Sequence, residues 1–212
     1  MHGAFERHLH EMVGRLGGPD LILISGDLAF SGKAEEYEGI DRLLKRIDGI
    51  VGRKLPVLAV PGNHDLARPT GMDALRYAGL KHHDEDPVVQ RGLWLEKRAA
   101  GEAGWLDPLF AEYRAWCERT LKPRALRAGL KLIESERAPG DFRVVVEKKG
   151  LRLGVVGLNT AWGQVGDGDF LGKLPLATEQ FDALFSDELP ARDWFAGLSA
   201  SILMTHHPRS WL

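Results

Sequence analysis

Near the start of the chain Phe5, Leu9, Met12, Val13 and Leu16 recur at helical spacing, and Gly17-Gly18-Pro19 stops the run, which predicts a helix over residues 5–16. The pattern then changes. Leu21-Ile22-Leu23-Ile24 is continuously apolar, as expected of a strand buried on both faces in a parallel sheet. Tyr37, Ile40, Leu43, Leu44 and Ile47 return to a helical period and predict a helix over 34–50. A second buried strand follows at Leu55-Pro56-Val57-Leu58-Ala59-Val60. Strand, helix and strand within about 40 residues make one βαβ unit with an expected right-handed crossover.

From residue 68 to about 130 the apolar rhythm breaks into tryptophans, glycines and clustered charges. One helix is predicted there, over 107–121, with Leu106, Leu109, Phe110, Tyr113, Trp116 and Leu121 as its apolar residues. This stretch reads as a mostly helical insertion into a single domain spanning 1–212. Two β segments, 142–148 and 151–158, flank Lys149-Gly150 and predict an antiparallel hairpin. A Gly/Asp-rich loop (163–174), a short helix (177–184) and a last apolar strand, Ser201-Ile202-Leu203-Met204, complete the order. The alternation predicts an α/β fold.

Composition narrows the setting. With 212 residues, 44% of them hydrophobic, the chain is long enough for a sizeable core. No apolar run approaches the roughly 20 residues of a membrane helix, so no membrane partner is expected. Twenty-eight basic against 30 acidic residues give a net charge of −2, which argues against nucleic acid held by bulk charge. One cysteine, Cys117, excludes an internal disulfide and suits a reducing compartment. With no basic, then apolar, leader at the N-terminus, a cytoplasmic location is expected.

Three buried strands each run into a candidate metal ligand: Asp27, Asn63 and His206. In open α/β sheets, ligands bind beyond the carboxyl ends of strands. Strand ends lying side by side would gather a carboxylate, a carboxamide oxygen and an imidazole, a set suited to Mn²⁺, Fe²⁺ or Zn²⁺ rather than Ca²⁺. Gly26 and Gly62 let the chain turn sharply after each strand. Each signal alone has a plainer reading: Gly-Asp is a common turn or helix cap, and His before Pro often packs in a loop. Pro61-Gly62-Asn63-His64-Asp65 is sharper, because a turn does not require His and Asp after Asn.

Gly26-Asp27, Gly62-Asn63-His64-Asp65 and His206 before Pro208, with Asn159-Thr160 and Gly172-Lys173-Leu174 between them, resemble sequence blocks of the calcineurin-like metallophosphoesterases, in particular of bacterial members. The resemblance implies a sandwich of mixed β-sheets flanked by helices and a metal-dependent phosphoester hydrolase, a phosphodiesterase by the Asp that follows Asn63-His64. It implies two divalent ions (Mn, Fe or Zn) whose bridging hydroxide attacks a small-molecule or nucleotide phosphoester. Asp27 would bridge the ions, and Asn63 and His206 would bind the second. His64 would contact the phosphate and protonate the leaving group, with Asp65 orienting it from behind.

The chain departs from the family pattern at both ends. The opening Asp-x-His and closing Gly-His-x-His blocks are absent, so the fold is expected to be incomplete at its termini, with an exposed strand edge beside Leu21–Ile24. Flanking segments or another chain would complete the site. His8 and His10 read as the polar side of the first helix, and His82-His83 with Asp84 and Asp86 as a solvated loop. Trp162, Phe170, Trp194 and Trp211 read as core or rim packing. The alternative function is a non-catalytic binding or scaffold domain that keeps the fold without a complete metal site.

Overall fold

A computed structural model describes residues 2–96, 104–166 and 168–212. Helix α1 (His2–Leu16) leads into strand β1 (Ile22–Ile24), helix α2 (Tyr37–Val51) and strand β2 (Val57–Ala59). β1 and β2 pair in parallel, Leu23 opposite Leu58, as the βαβ pattern requires. All three residues of β2 are buried, whereas Leu23 in the middle of β1 is 40% exposed. Among the described residues β1 is paired on one side only, to β2.

Helix α3 (Gly71–Ala78) and the short α4 (Pro87–Gln90) follow β2. A broken helical run then packs across α2 and β2. It passes through a 3-10 turn (Asp107–Phe110), α5 (Ala111–Trp116), a π turn (Cys117–Leu121) and α6 (Lys122–Arg127). The predicted helix over 107–121 thus continues six residues further, to Arg127. Pro123 at the start of α6 has no N–H to give to the preceding turn, and the wider π register falls just before it. Trp116 stacks on Tyr37 and donates its indole N–H to Asp41, while the Tyr113 hydroxyl donates to the carbonyl of Ala59. Arg124 closes the back of the unit through a two-pronged pair with Asp48 and a bond to the Leu55 carbonyl.

The second sheet has the order β3-β4-β5-β6, with β3 (Ile133–Glu134), β4 (Phe142–Lys148), β5 (Leu151–Gly157) and β6 (Ala200–Met204). β4 and β5 are the predicted hairpin, turning at Lys149 and Gly150, both with positive φ, the backbone of a tight two-residue turn. β6 returns parallel to β5 after the short helices α7 (Thr178–Asp182) and α8 (Ala191–Ala196). Val60 and Leu58 from the first sheet pack with Phe142, Val144, Val155 and Met204 from the second, so the two sheets share a core. A second core joins Trp116, Trp162, Trp94 and Phe110 to Tyr37. Trp162 and Trp194 are buried, and Phe170 and Trp211 are half-buried. None of the helices among the described residues is long and apolar enough to cross a membrane.

Candidate active site

Three loops meet where β1, β2 and β6 end. β1 delivers Ser25-Gly26-Asp27, β2 delivers Pro61 through Asp65, and β6 delivers Thr205-His206-His207. The three strand ends are not neighbours in one sheet, as the strand-end pattern alone suggests. β6 belongs to the second sheet, so the site forms at the junction between the sheets.

The approach of the loops dictates the glycines. A Cβ on Gly26 would stand 2.5 Å from His206 Nδ1 and 2.7 Å from the Gly62 nitrogen. A Cβ on Gly62 would run into the Asp27 carboxylate, with His206 Cε1 only 2.9 Å away. Asp27 itself has φ 55, a left-handed backbone that costs a non-glycine residue roughly 1–2 kcal/mol. That strain turns its carboxylate back over Gly62.

The donor atoms converge. Asn63 Oδ1 lies 3.1 Å from His206 Nε2, and Asp27 Oδ1 lies 3.4 Å from the same nitrogen. The opposite ring nitrogen, Nδ1, is 2.7 Å from the Ser25 carbonyl and donates its proton there. In the neutral ring Nε2 therefore presents a lone pair to two oxygen lone pairs. Such a cluster of acceptors is unfavourable unless a proton on Nε2 or a metal cation sits among them. Ligands held at about 2.0–2.2 Å from one ion stand about 3.0–3.5 Å apart, which is the spacing found here. The mixed N and O set suits a borderline divalent ion, and the Ser25 carbonyl supplies the outer-shell bond such a histidine needs. Asp27 is 41% exposed at the side chain against 17% for His206, so the cluster opens to solvent on its Asp27 side. Among the described residues no group of three His, Cys, Asp or Glu side chains forms a metal set; the third donor here is a carboxamide.

His64 sits beside this cluster, its backbone N–H donating to Asp27 Oδ1 at 3.2 Å. Its Nδ1 is 2.7 Å from the carbonyl of Phe30, and its ring stacks on that of Phe30 at 5.4 Å. The expectation that Asp65 orients His64 is therefore corrected: a backbone carbonyl does so. Asp65 is 1% exposed and points into the protein. Its carboxylate accepts from the N–H groups of Leu28, Ala29 and Gly62 and from the hydroxyl of Tyr37, clamping the β1 and β2 loops and the start of α2 together. Burial raises its pKa, and the four donors pull against that.

The supporting groups around these residues have no sequence pattern of their own. Glu36 gathers the Phe30, Ser31 and Lys33 N–H groups and the Ser31 hydroxyl, fixing the loop that carries Phe30. The Lys33 N–H foremost, with those of Ser31 and Phe30 and the Ser31 hydroxyl, lowers its pKa to about 2. His207 lies buried behind His206, bonded to the Thr160 hydroxyl at 3.0 Å and stacked on Trp211. Burial first, then the neighbouring His206, pushes its pKa down to about 4. The other histidines stand apart. His8 and His10 are exposed on α1, His82 faces Glu85, and His83 meets Trp162 edge-on. Among the described residues none of the four bonds to Asp27, Asn63 or His206.

The mixed α/β fold thus brings loops from two sheets together around an Asp, an Asn and a His, with a second His alongside. The calcineurin-like phosphoesterase family matches residues 1–210, and the chain belongs to that family. Among curated proteins it is similar to the glycerophosphodiester phosphodiesterase GpdQ of Enterobacter lignolyticus (strain SCF1), with 31% identity over 129 residues. The match covers 52% of this chain and 41% of that relative's length. No solved structure matches the chain.

Proposed function

We propose that this chain carries the phosphate-handling site of a metal-dependent phosphodiester hydrolase. The observation that carries the reading is the convergence of Asp27 Oδ1, Asn63 Oδ1 and His206 Nε2, with no proton to separate them when His206 is neutral. These three residues would hold a divalent ion of the Mn, Fe or Zn kind, and Asp27, the more exposed of the pair it forms with His206, would be shared with a second. When bound, such ions supply Lewis acidity toward phosphoryl oxygens and make water nucleophilic near neutral pH.

His64 does the proton work. Its Nδ1–H is committed to Phe30, so Nε2 is the atom left to donate a proton to the departing ester oxygen. Asp65 acts at one remove, holding the two loops that carry Asp27, Asn63 and His64 in register. The similarity to a glycerophosphodiester phosphodiesterase favours a small phosphodiester over a phosphoprotein substrate.

The test is hydrolysis of bis(p-nitrophenyl) phosphate by the chain after Mn²⁺ loading, with metal content measured alongside. Turnover that is lost in Asp27→Ala and His64→Ala, with folding retained, supports the assigned roles; turnover retained in either variant sinks them. The second reading, a binding domain without catalysis, draws on the lack of any group of three His, Cys, Asp or Glu metal ligands among the described residues. Phosphate binding without turnover, in the chain with metal bound, would select it.

A further inference from the structure

Leu28-Ala29-Phe30 follows Asp27, and burial along it runs against size. Leu28 and Ala29 are 6% and 8% exposed, while Phe30, the largest of the three, is 78% exposed. This is not the result of a slack loop. Glu36 ties down the backbone on both sides of the ring, and Gly32, with φ 68, packs against the backbone of Asp65, Leu66 and Ala67. The loop thus holds an uncovered aromatic ring in place.

The place is specific. The ring stacks on His64 at 5.4 Å and 28°, and the carbonyl of the same residue fixes that imidazole. An ester group whose oxygen takes a proton from His64 would lie near the Phe30 ring, one face of which His64 covers while the rest is open to solvent. We propose that Phe30 is a specificity-determining residue that receives a planar, unsaturated ester group, an aryl ring or a nucleobase, by edge or offset aromatic contact. This rests on the phosphoester reading above and deepens it by naming the substrate class. An uncharged ring offers nothing to an anionic or strongly hydrated arm, whereas aromatic pairs gain from offset or edge contact beyond the area they bury. That gain corresponds to roughly threefold to tenfold in affinity.

The test is calorimetric and needs no turnover. The full chain, with Mn²⁺ present, is titrated with phenyl phosphate, methyl phosphate and inorganic phosphate, and the series is repeated with Phe30→Ala and Phe30→Tyr. The proposal expects phenyl phosphate to bind the wild type roughly threefold to tenfold more tightly than methyl phosphate. The ratio should fall to about one in Phe30→Ala and return in Phe30→Tyr. An exposed side chain leaves the fold intact, which an unchanged thermal midpoint verifies. If all three ligands bind but the wild type shows no phenyl preference, or Phe30→Ala keeps it, the proposal is overturned and the phosphoester reading stands. If none of the three binds, the phosphoester reading fails and takes the proposal with it.

Discussion

His206 Nε2 and Asn63 Oδ1 face each other at 3.1 Å while the far side of the imidazole is committed to the Ser25 carbonyl. Two acceptors are thus aimed at one point, and Asp27 adds a third. Relief by a cation predicts that Mn²⁺ raises the thermal midpoint of the wild type, because a ligand that binds only the folded state stabilises it by mass action. Asn63→Ala and His206→Ala should each weaken Mn²⁺ binding by more than about tenfold and lose most of that thermal shift. Titration calorimetry and a melting series with added Mn²⁺ measure both; unchanged Mn²⁺ affinity in either variant would remove that residue from the site.

The same substitution at two glycines should act in opposite directions. Gly62→Ala forces a methyl into the Asp27 carboxylate and into the Asp27 backbone nitrogen, which cannot swing away, and should cost about 2–3 kcal/mol as well as Mn²⁺ affinity. Gly49 lies inside α2, and a methyl added there would meet no atom within 4 Å, so Gly49→Ala should stabilise by about 0.5–1 kcal/mol. Urea unfolding of the pair, read as midpoints at constant slope, separates close approach from helix propensity.

Asp65 is predicted to matter for stability as much as for chemistry. Asp65→Ala strands three buried backbone N–H groups and the Tyr37 hydroxyl, and should cost at least about 3 kcal/mol. Tyr37→Phe removes one hydrogen bond to a charged acceptor and should cost about 1.5–3 kcal/mol. A double-mutant cycle, Asp65→Asn with Tyr37→Phe, should show coupling well above the few tenths expected of independent sites. Additive effects would mean that the clamp is not a unit.

Elements marked by an apolar run or period, even three-residue strands such as β1 and β2, were readable from sequence, and those without one were not. α1, α2, β1, β2 and the β4–β5 hairpin follow the hydrophobic pattern closely. α3 buries only Tyr77, and α8 only Trp194, so neither sets up a repeat that marks a helix. β3 has two residues, Ile133 and Glu134, too few for any alternation. Asp27, Asn63 and His206 could be named because each follows a continuously apolar segment, although only β2 is buried throughout. Their orienting groups could not, because Ser25 and Phe30 act through carbonyls that every residue has. Asp65 next to His64 invited the assumption of a side-chain pair, but the tight turn from Gly62 to Asp65 directs neighbouring side chains to different partners.

Asp141 gives a pH dependence away from the metal cluster. It is buried beyond β3, accepting from the Asn159 N–H at 2.6 Å and from the Gln180 amide, which also receives the Trp162 indole on its oxygen. Burial pushes its carboxyl well above the usual carboxylate range, against the pull of those donors. The folded protein therefore holds a proton that the unfolded chain releases near 3.8. The stabilisation is complete below that unfolded value and is lost as pH rises through the folded one, by up to about 1.4 kcal/mol per pH unit for one proton. Asp141→Asn cannot titrate, so the unfolding free energy of the wild type should fall steadily relative to that of the variant as pH rises from about 4 toward the folded value. Urea melts of both proteins across that range measure it. A difference that stays flat with pH would show that Asp141 is ionised in the fold, held by Asn159 and Gln180 despite its burial.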